Sequence, residues 1–280
     1  MSNESRPGGV DNFVIQTNRD WWDERAPLHA ESEFYSLDRV IAGEQRLNDY
    51  EIEEVGPVKD KNLLHMQCHL GTESVNWARL GANVSGLDFS AAVIEQAKDL
   101  AKKCGVEIDY RQGDVYEVRD VFKGETFDIV YVNIGSLHWL PDIDAWGKAV
   151  SSVVKDGGIL YINEIHPFSS ILGDGEDNGM TVAYDYFNRK PVTWNDPGSY
   201  ADTDATKHDE HVIYDRPLSD IMMAIINAGF TIDCISERQG QEYQQFEFQV
   251  QGDDGRWYNP AGTGVFPSTF SLRAKKNTGA

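Results

Sequence analysis

The chain has 280 residues, of which 40% are hydrophobic and 11% aromatic, which is enough to fill a core and excludes global disorder. Its net charge of −21 excludes a nucleic-acid phosphate backbone as partner, because that partner requires clustered Lys and Arg. No apolar run approaches the ~20 residues of a membrane span, and the polar N-terminus lacks a signal-peptide core, so we expect a cytoplasmic protein without membrane contact.

The acidic composition and the cysteine spacing limit the ligands and the structural sites that the chain could have. An acidic surface confers solubility and favours cationic ligands, and it is also typical of proteins from salt-tolerant organisms; the sequence leaves both explanations open. Cys68, Cys104 and Cys234 show no C-x-x-C spacing, so neither a disulfide framework nor a cysteine-rich zinc site is indicated.

The pattern along the chain predicts an α/β fold. Residues 1–17 read as a flexible tail, and 18–55 as an aromatic-rich helical cap. Apolar runs then alternate with apolar stripes at helical spacing, which implies right-handed crossovers and a parallel sheet covered on both faces. The predicted strands are 63–67, 84–87, 106–110, 127–132, 159–162, 230–235 and a final one within 268–276. The predicted helices are about 72–80, 90–104, 143–154 and 218–226.

Residues 167–211 lack periodicity and contain turn-rich stretches, and this segment is too long for an ordinary connection. We interpret this segment as a lid or substrate-binding insertion within a single domain over 18–280. Six aromatic residues of the cap, the segment after strand four and the insertion are expected to cover a site: Trp22, Tyr35, Trp139, Tyr184, Trp194 and Tyr200. Packing of these rings against the sheet is an equal alternative. Such a cover favours a small-molecule ligand.

Four strand ends carry residues that are typical of a ligand site. Ligands of a doubly wound sheet bind beyond the carboxyl ends of its strands. The segments concerned are QCHLG at 67–71, Asp88, GDV at 113–115 and NIGSLHWLPD at 133–142. Asp88 follows Gly71 by seventeen residues, close to the ~20-residue offset at which an acidic side chain meets a ribose hydroxyl pair.

Together these motifs resemble the class I S-adenosylmethionine-dependent methyltransferases, of the small-molecule kind similar to types 11 and 25. LLHMQCHLG stands at the first glycine-rich motif, GLDFS at the acidic second motif, RQGDV at the third, and the long segment from 127 to 164 at the fourth and fifth strands. The resemblance covers roughly 18–165 and the terminal strands. It implies a seven-stranded sheet of order 3-2-1-4-5-7-6, with strand 7 antiparallel.

The resemblance also implies a cofactor site for S-adenosylmethionine. The backbone of 67–71 would approach its methionine and ribose parts. Asp88 would hold the ribose hydroxyls, and Phe89 would pack on the adenine, whose amino group would meet Asp114 and Val115. The full implied set is Gln67, Cys68, His69, Gly71, Asp88, Phe89, Asp114, Val115, and, near the methionine, Asn133 and Gly135.

The first motif departs from the family pattern. His65 stands where an acidic residue usually helps to position the cofactor's ammonium group, so that role could pass to backbone carbonyls. Gln67 and His69 stand where the first two loop glycines would be. Because this cofactor has no pyrophosphate, the backbone need not cradle phosphates, and one close-approach glycine, Gly71, can suffice.

A metal site is a weaker interpretation of the same loop. On a strand, His65 and His69 share a face while Cys68 points away. Two histidines without a third ligand do not make a zinc site, so no metal is predicted. His65 is instead expected to be a packed, hydrogen-bonded strand residue.

Candidate catalytic residues are His138, after the fourth strand, and His166, after the fifth. Either imidazole, with a pKa near ~6.5, could take a proton from the acceptor at neutral pH. Glu164 lies two residues before His166 on the same strand face and could orient it. The alternative is that His166 is only a polar residue at a strand exit.

The sequence therefore predicts a methyltransferase that moves a methyl group from S-adenosylmethionine to an O, N or S atom of a small molecule by in-line displacement, releasing S-adenosylhomocysteine. An NAD(P)-dependent oxidoreductase is one alternative, since Tyr186 and Lys190 have a Y-x-x-x-K spacing, although within the irregular insertion. A non-catalytic S-adenosylmethionine-binding protein is the other. The oligomeric state is left open.

Overall fold

The structure is a computed structural model that describes residues 12–175, 180–198, 207–259 and 266–279. Its helices are α1 (Asn12–Glu31), α2 (Leu37–Ile41), α3 (Asp49–Val55), α4 (Thr72–Arg79), α5 (Ala91–Cys104), α6 (Val118–Val121), α7 (Ile143–Val153) and α8 (Leu218–Asn227). Its strands are β1 (Asn62–Met66), β2 (Asn83–Asp88), β3 (Asp109–Gln112), β4 (Phe127–Val132), β5 (Val154–Ile165), β6 (Leu172–Asp174), β7 (Met180–Val182), β8 (Val192–Asn195), β9 (Glu210–Ile213), β10 (Phe230–Arg238), β11 (Val250–Gln251), β12 (Trp257–Tyr258) and β13 (Thr269–Lys276). Among these described helices, none is long and apolar enough to cross a bilayer.

Seven strands form one sheet of order β3-β2-β1-β4-β5-β13-β10, in which β13 runs antiparallel to both neighbours. The predicted α/β class and strand order are confirmed. Successive side chains alternate between two apolar layers, because a strand has a two-residue period. Leu64 and Val130 pack with Trp146 on one face, while Leu63 and Ile129 pack on the other.

Helix ends agree with local sequence signals. The Ser90 hydroxyl accepts the Val93 N–H at 3.1 Å and caps α5, whose last turn closes at Gly105 with a φ of 68°. The third strand begins at Asp109, not at 106 as predicted. The Val106 N–H bonds to the Ala101 carbonyl at 3.1 Å to close the helix, so it is not available to the sheet.

Helix α1 begins at Asn12, so residues 12–17 are helical and are not part of a tail; residues 1–11 lie outside the described part. Burial explains the earlier start, since the Ile15 side chain is buried. The buried Asn18 amide donates to the Val212 carbonyl and accepts the Val212 N–H, both at 2.8 Å. This pair joins α1 to β9, the strand at the end of the insertion.

The insertion contains short strands where the sequence showed no periodicity. Strands β6 and β7 form one two-stranded sheet, and β8 and β9 form another. The buried Arg25 guanidinium of α1 donates to the carbonyls of Asp196, Gly198 and His208 at 2.8–3.0 Å. The described parts of the insertion and α1 are thus bonded into a common cap.

Candidate active site

A cavity of about 1080 Å³ lies between the carboxyl edge of the sheet and this cap. Ligand pockets commonly measure ~300–1000 Å³, so this one can hold a cofactor-sized molecule together with a second small molecule. Five of the aromatic residues predicted to cover a site line this cavity: Trp22, Tyr35, Trp139, Tyr184 and Trp194. The sixth, Tyr200, lies outside the described residues. They also contact each other, with the Trp22 and Trp139 rings 5.2 Å apart, so these rings both pack the cap and face the cavity.

The loop after β1 keeps a glycine-type backbone without the glycines. Gln67 and His69 have φ values of 54° and 47°, and Gly71 has 76°, all in the left-handed region. That region costs a residue with a Cβ about 1–2 kcal/mol. Side-chain contacts hold the loop: the Gln67 amide donates to the Ser136 carbonyl at 2.8 Å, and His69 contacts α1.

The His69 imidazole joins the loop to the cap. Its Nε2 lies 3.2 Å from Nδ1 of His29, and its ring contacts Trp22 and Tyr35 at centroid distances of 5.1 and 5.0 Å. Burial, and then the neighbouring imidazoles, hold the pKa of His69 well below its usual range. A neutral imidazole can share one N–H···N bond with a neighbouring imidazole, so this contact links the loop to α1.

Packing within the fold explains why position 71 is a glycine. It is absent from the described residues that line the cavity, unlike every other predicted cofactor residue. A Cβ at Gly71 would lie 2.1 Å from the Tyr110 hydroxyl of β3. The close approach that requires a glycine is therefore the one to Tyr110.

Asp88 ends β2 with its carboxylate on the cavity. Oδ2 accepts the His69 N–H at 3.1 Å and Oδ1 accepts the Ser90 N–H at 3.0 Å. Burial raises the pKa of this carboxyl to about 6, against those hydrogen bonds. Phe89 and Asp114 follow on the same wall, and Asp114 also caps its own turn by accepting the Tyr116 N–H at 3.0 Å.

Glu164 does not orient His166, which corrects the predicted pair. Its buried carboxylate turns to the loop after β4 and accepts the N–H groups of Gly135, Ser136 and Leu137, the last two at 2.8 Å. Burial raises its pKa, and these backbone hydrogen bonds oppose the rise. Glu164 thus positions the loop that brings Asn133 and Gly135 to the cavity.

The structure does not bring His166 to the cavity lining, as far as the described residues show. Its Nε2 pairs with Glu237 of β10 at 2.9 Å, and its Nδ1 accepts the Phe168 N–H at 3.0 Å. Both ring nitrogens are engaged, so neither is placed to receive a proton from a ligand. This geometry fits the alternative that His166 is a polar residue at a strand exit.

His138 does line the cavity, beside Trp139. Burial, then the neighbouring His211 and Arg216, lowers its pKa to about 4. The imidazole is therefore neutral at pH 7 and can accept a proton, although as a weak base. Its catalytic role stays a prediction.

Several cavity residues were missed from the sequence. Glu73 and Arg46 were passed over because an acid in the first turn of a helix and an arginine in a charged segment are ordinary there. Others carried no motif at all: Glu51, Tyr116 and His211. Among the described residues, no group of three His, Cys, Asp or Glu side chains could hold a metal ion.

Comparisons with known proteins agree with this architecture. Residues 64–162 match the family model described as a methyltransferase domain. A ubiquinone biosynthesis O-methyltransferase of Brucella ovis is 32% identical over 152 residues, which are 52% of this chain and 58% of that protein. The chain thus spans little more than half the length of such curated relatives.

Solved structures show the same fold at low identity. A putative S-adenosylmethionine-dependent methyltransferase from Listeria monocytogenes superposes with a TM-score of 0.59 at 18% identity, over 81% of this chain and 97% of that one. DhpI in complex with S-adenosylhomocysteine (SAH) gives 0.56 at 14% identity, over 96% and 100%. The family model agrees with the resemblance drawn from the sequence motifs over residues 64–162, and these solved structures share the predicted fold.

Proposed function

We propose that this protein transfers a methyl group from S-adenosylmethionine to a small molecule. The observation that carries the proposal is that three features converge on one cavity: the left-handed loop after β1, the Asp88 carboxylate and the loop after β4. These are the carboxyl ends of adjacent strands β2, β1 and β4, where a doubly wound sheet binds ligands.

The residues present fit this cofactor. Each Asp88 oxygen accepts one backbone N–H and has further lone-pair capacity for a ribose hydroxyl. The Gln67 Oε1 atom is buried and lacks a partner among the described residues, so it can accept from the ligand. Phe89 offers a ring for the adenine, and Asp114 a carboxylate for its amino group.

The bound cofactor supplies an already activated methyl group on a sulfonium. The chain's own task is then to align the acceptor with that group and to exclude water. The Trp22 and Trp139 side chains line the cavity on the cap side, and aromatic faces attract a sulfonium electrostatically. Where the acceptor must lose a proton, His138 is the cavity histidine proposed to take it.

The acceptor is proposed to be a small molecule with an oxygen nucleophile. The cap over the cavity favours a small ligand over a macromolecule. The oxygen is favoured by the curated relatives, which are O-methyltransferases by name. The Y-x-x-x-K alternative gains no support, because Tyr186 lies outside any helix and its hydroxyl accepts the Leu218 N–H at 3.2 Å.

Calorimetry with SAH tests the proposal. We expect binding at submillimolar concentration, and weakening of about tenfold or more in Asp88→Ala because charge-assisted hydrogen bonds to the ribose are lost. Asp99→Asn, a change on the exposed face of α5, is the matched control and is expected to bind like wild type. NAD(P)H binding without SAH binding would instead support the oxidoreductase.

Turnover separates the enzyme from a non-catalytic binding protein. A panel of phenols and alcohols, with amines and thiols as comparison, is incubated with a donor carrying a labelled methyl group. Label in an oxygen-linked product supports the full proposal. Tight SAH binding with no labelled product from any class, or from a metabolite extract, would favour the binding protein.

A further inference from the structure

The floor of the cavity holds a buried imidazole nitrogen without a partner. His65 of β1 is 1% exposed, and its Nδ1 lies 2.8 Å from the Ser74 hydroxyl. His65 is among the residues that line the cavity, and its buried Nε2 has no hydrogen-bond partner among the described residues. Burial lowers the pKa of this imidazole to about 3, so it is neutral. An unpaired buried nitrogen of this kind is costly unless a ligand satisfies it.

A carboxylate that lines the same cavity is the sequence neighbour of Ser74, the residue that His65 contacts. Glu73 lies in the first turn of α4, one residue before Ser74, and lines the same cavity. One of its oxygens accepts the Thr72 hydroxyl at 2.7 Å. Burial raises the Glu73 pKa, whereas the hydrogen bond from Asn133 and the charge of Arg46 act against the rise. An additional cation beside Glu73 would stabilise its charged form.

A guanidinium completes the subsite. Arg46 lines the cavity and donates from one terminal nitrogen to the Tyr35 carbonyl at 2.8 Å. Its other terminal nitrogen lies 3.5 Å from Glu44. Its Nε is buried and has no partner within the described part of the chain. The subsite therefore offers one free N–H donor on a cation, one carboxylate and one imidazole nitrogen.

This combination matches a zwitterion better than a single charge. An ammonium group has three donors and no acceptor, so it suits Glu73 and the lone pair of His65 Nε2 in the tautomer whose Nδ1–H donates to Ser74. A carboxylate suits the free Nε–H of Arg46. A phosphate would be repelled by Glu73, and a simple amine would leave Arg46 unused. An α-amino acid group meets all three.

We propose that the amino acid end of the methyl donor binds between Glu73 and Arg46, with Glu73 supplying from α4 the carboxylate that β1 lacks at His65. This inference rests on the proposed function, and it assigns the subsite to residues outside the strand motif. Glu73 binds the ammonium group in this arrangement, His65 Nε2 accepts a second of its protons, and Arg46 binds the carboxylate.

Three ligands that differ only in the amino acid end test the assignment by calorimetry. All three are thioethers: SAH carries both charges, decarboxylated SAH (5′-(3-aminopropylthio)adenosine) keeps the ammonium alone, and 5′-methylthioadenosine has neither. Glu73→Gln is expected to weaken the first two by roughly 10- to 100-fold and to leave 5′-methylthioadenosine unchanged within about twofold. Arg46→Gln is expected to weaken SAH alone. Glu95→Gln, on the exposed face of α5, is the control.

The outcomes are separable. Equal losses for all three ligands would mean that Glu73 only supports the fold, and unchanged SAH binding would mean that it does not meet the ligand; either result overturns the assignment. If Glu73→Gln unfolds, the Arg46→Gln comparison decides alone, since equal losses of SAH and the decarboxylated ligand overturn it. Failure of wild type to bind any of the three would sink the proposed function itself.

Discussion

Gly71 offers a direct test of why the first loop keeps one glycine. Replacing it with Ala keeps a backbone φ of 76°, which costs about 1–2 kcal/mol for a residue with a Cβ. The new methyl would lie 2.1 Å from the Tyr110 hydroxyl and 2.9 Å from Cζ, and such overpacking costs about 1–3 kcal/mol. The stiffer unfolded chain returns about 0.4–1 kcal/mol. The free energy of unfolding should therefore fall by about 2–4 kcal/mol.

Two further variants separate the backbone contribution to this cost from the contribution of the contact with Tyr110. Gly105→Ala has a φ of 68° but nothing within 4 Å of its Cβ, so it should lose only the backbone contribution, about 1 kcal/mol. Tyr110→Phe removes the atom nearest to the new methyl, so Gly71→Ala should cost about 1 kcal/mol less in that background. Urea unfolding at constant m-value measures each difference.

The result that refutes this reasoning is equally specific. If Gly71→Ala costs no more than Gly105→Ala, and Tyr110→Phe leaves that cost unchanged, then contact with Tyr110 does not explain the glycine. Calorimetry adds a second criterion at a temperature where the variant is folded. Near-normal SAH affinity is expected, whereas a large loss would support the sequence interpretation that this glycine lets the backbone approach the cofactor.

Other expectations concern the cavity and its cap. SAH affinity should fall as the pH drops through about 6, because protonation of Asp88 removes acceptors for the ribose hydroxyls, and Asp88→Asn should abolish this dependence in calorimetric titrations. Asn18→Asp keeps the acceptor for the Val212 N–H but faces its carbonyl with a carboxylate, so urea unfolding should show a loss of about 1–3 kcal/mol. If His138 is the base, the acid limb of the initial rate should lie near pH 4 and not near 6.5, and it should disappear from the residual rate of His138→Gln.

The sheet could be predicted because its signals are local. Apolar alternation and end signals such as Ser90 and Gly105 depend on residues close in sequence, and they located most elements. The third strand was misplaced for a reason that is also physical. Val106 is apolar and follows a helix, yet its N–H closes that helix, and pairing with β2 starts only at Asp109.

Site residues could be predicted only where the backbone topology alone determines their position. The strand ends that line the cavity follow from the parallel topology, so Asp88 and Asn133 were identified. The spacing of Glu164 and His166 predicts a shared strand face, but Leu137, which donates to Glu164, lies 27 residues away in sequence, and Glu237, which pairs with His166, lies 71 residues away. No spacing rule shows that a loop after β4 would claim the Glu164 carboxylate.

The same distinction, between local signals and contacts of residues distant in sequence, explains the unusual loop after β1. Gln67 and His69 carry side chains in a left-handed conformation that glycine would adopt at no cost, so their contacts must offset about 1–2 kcal/mol each. The contacts of His69 are with His29, Trp22 and Tyr35, all of which belong to the cap. Detaching α1 would remove the contacts of the His69 side chain with His29 and Trp22, and distorting the loop would remove the His69 contact that holds α1. The cofactor loop and the cap are therefore expected to become ordered together, which glycines at these positions would not require.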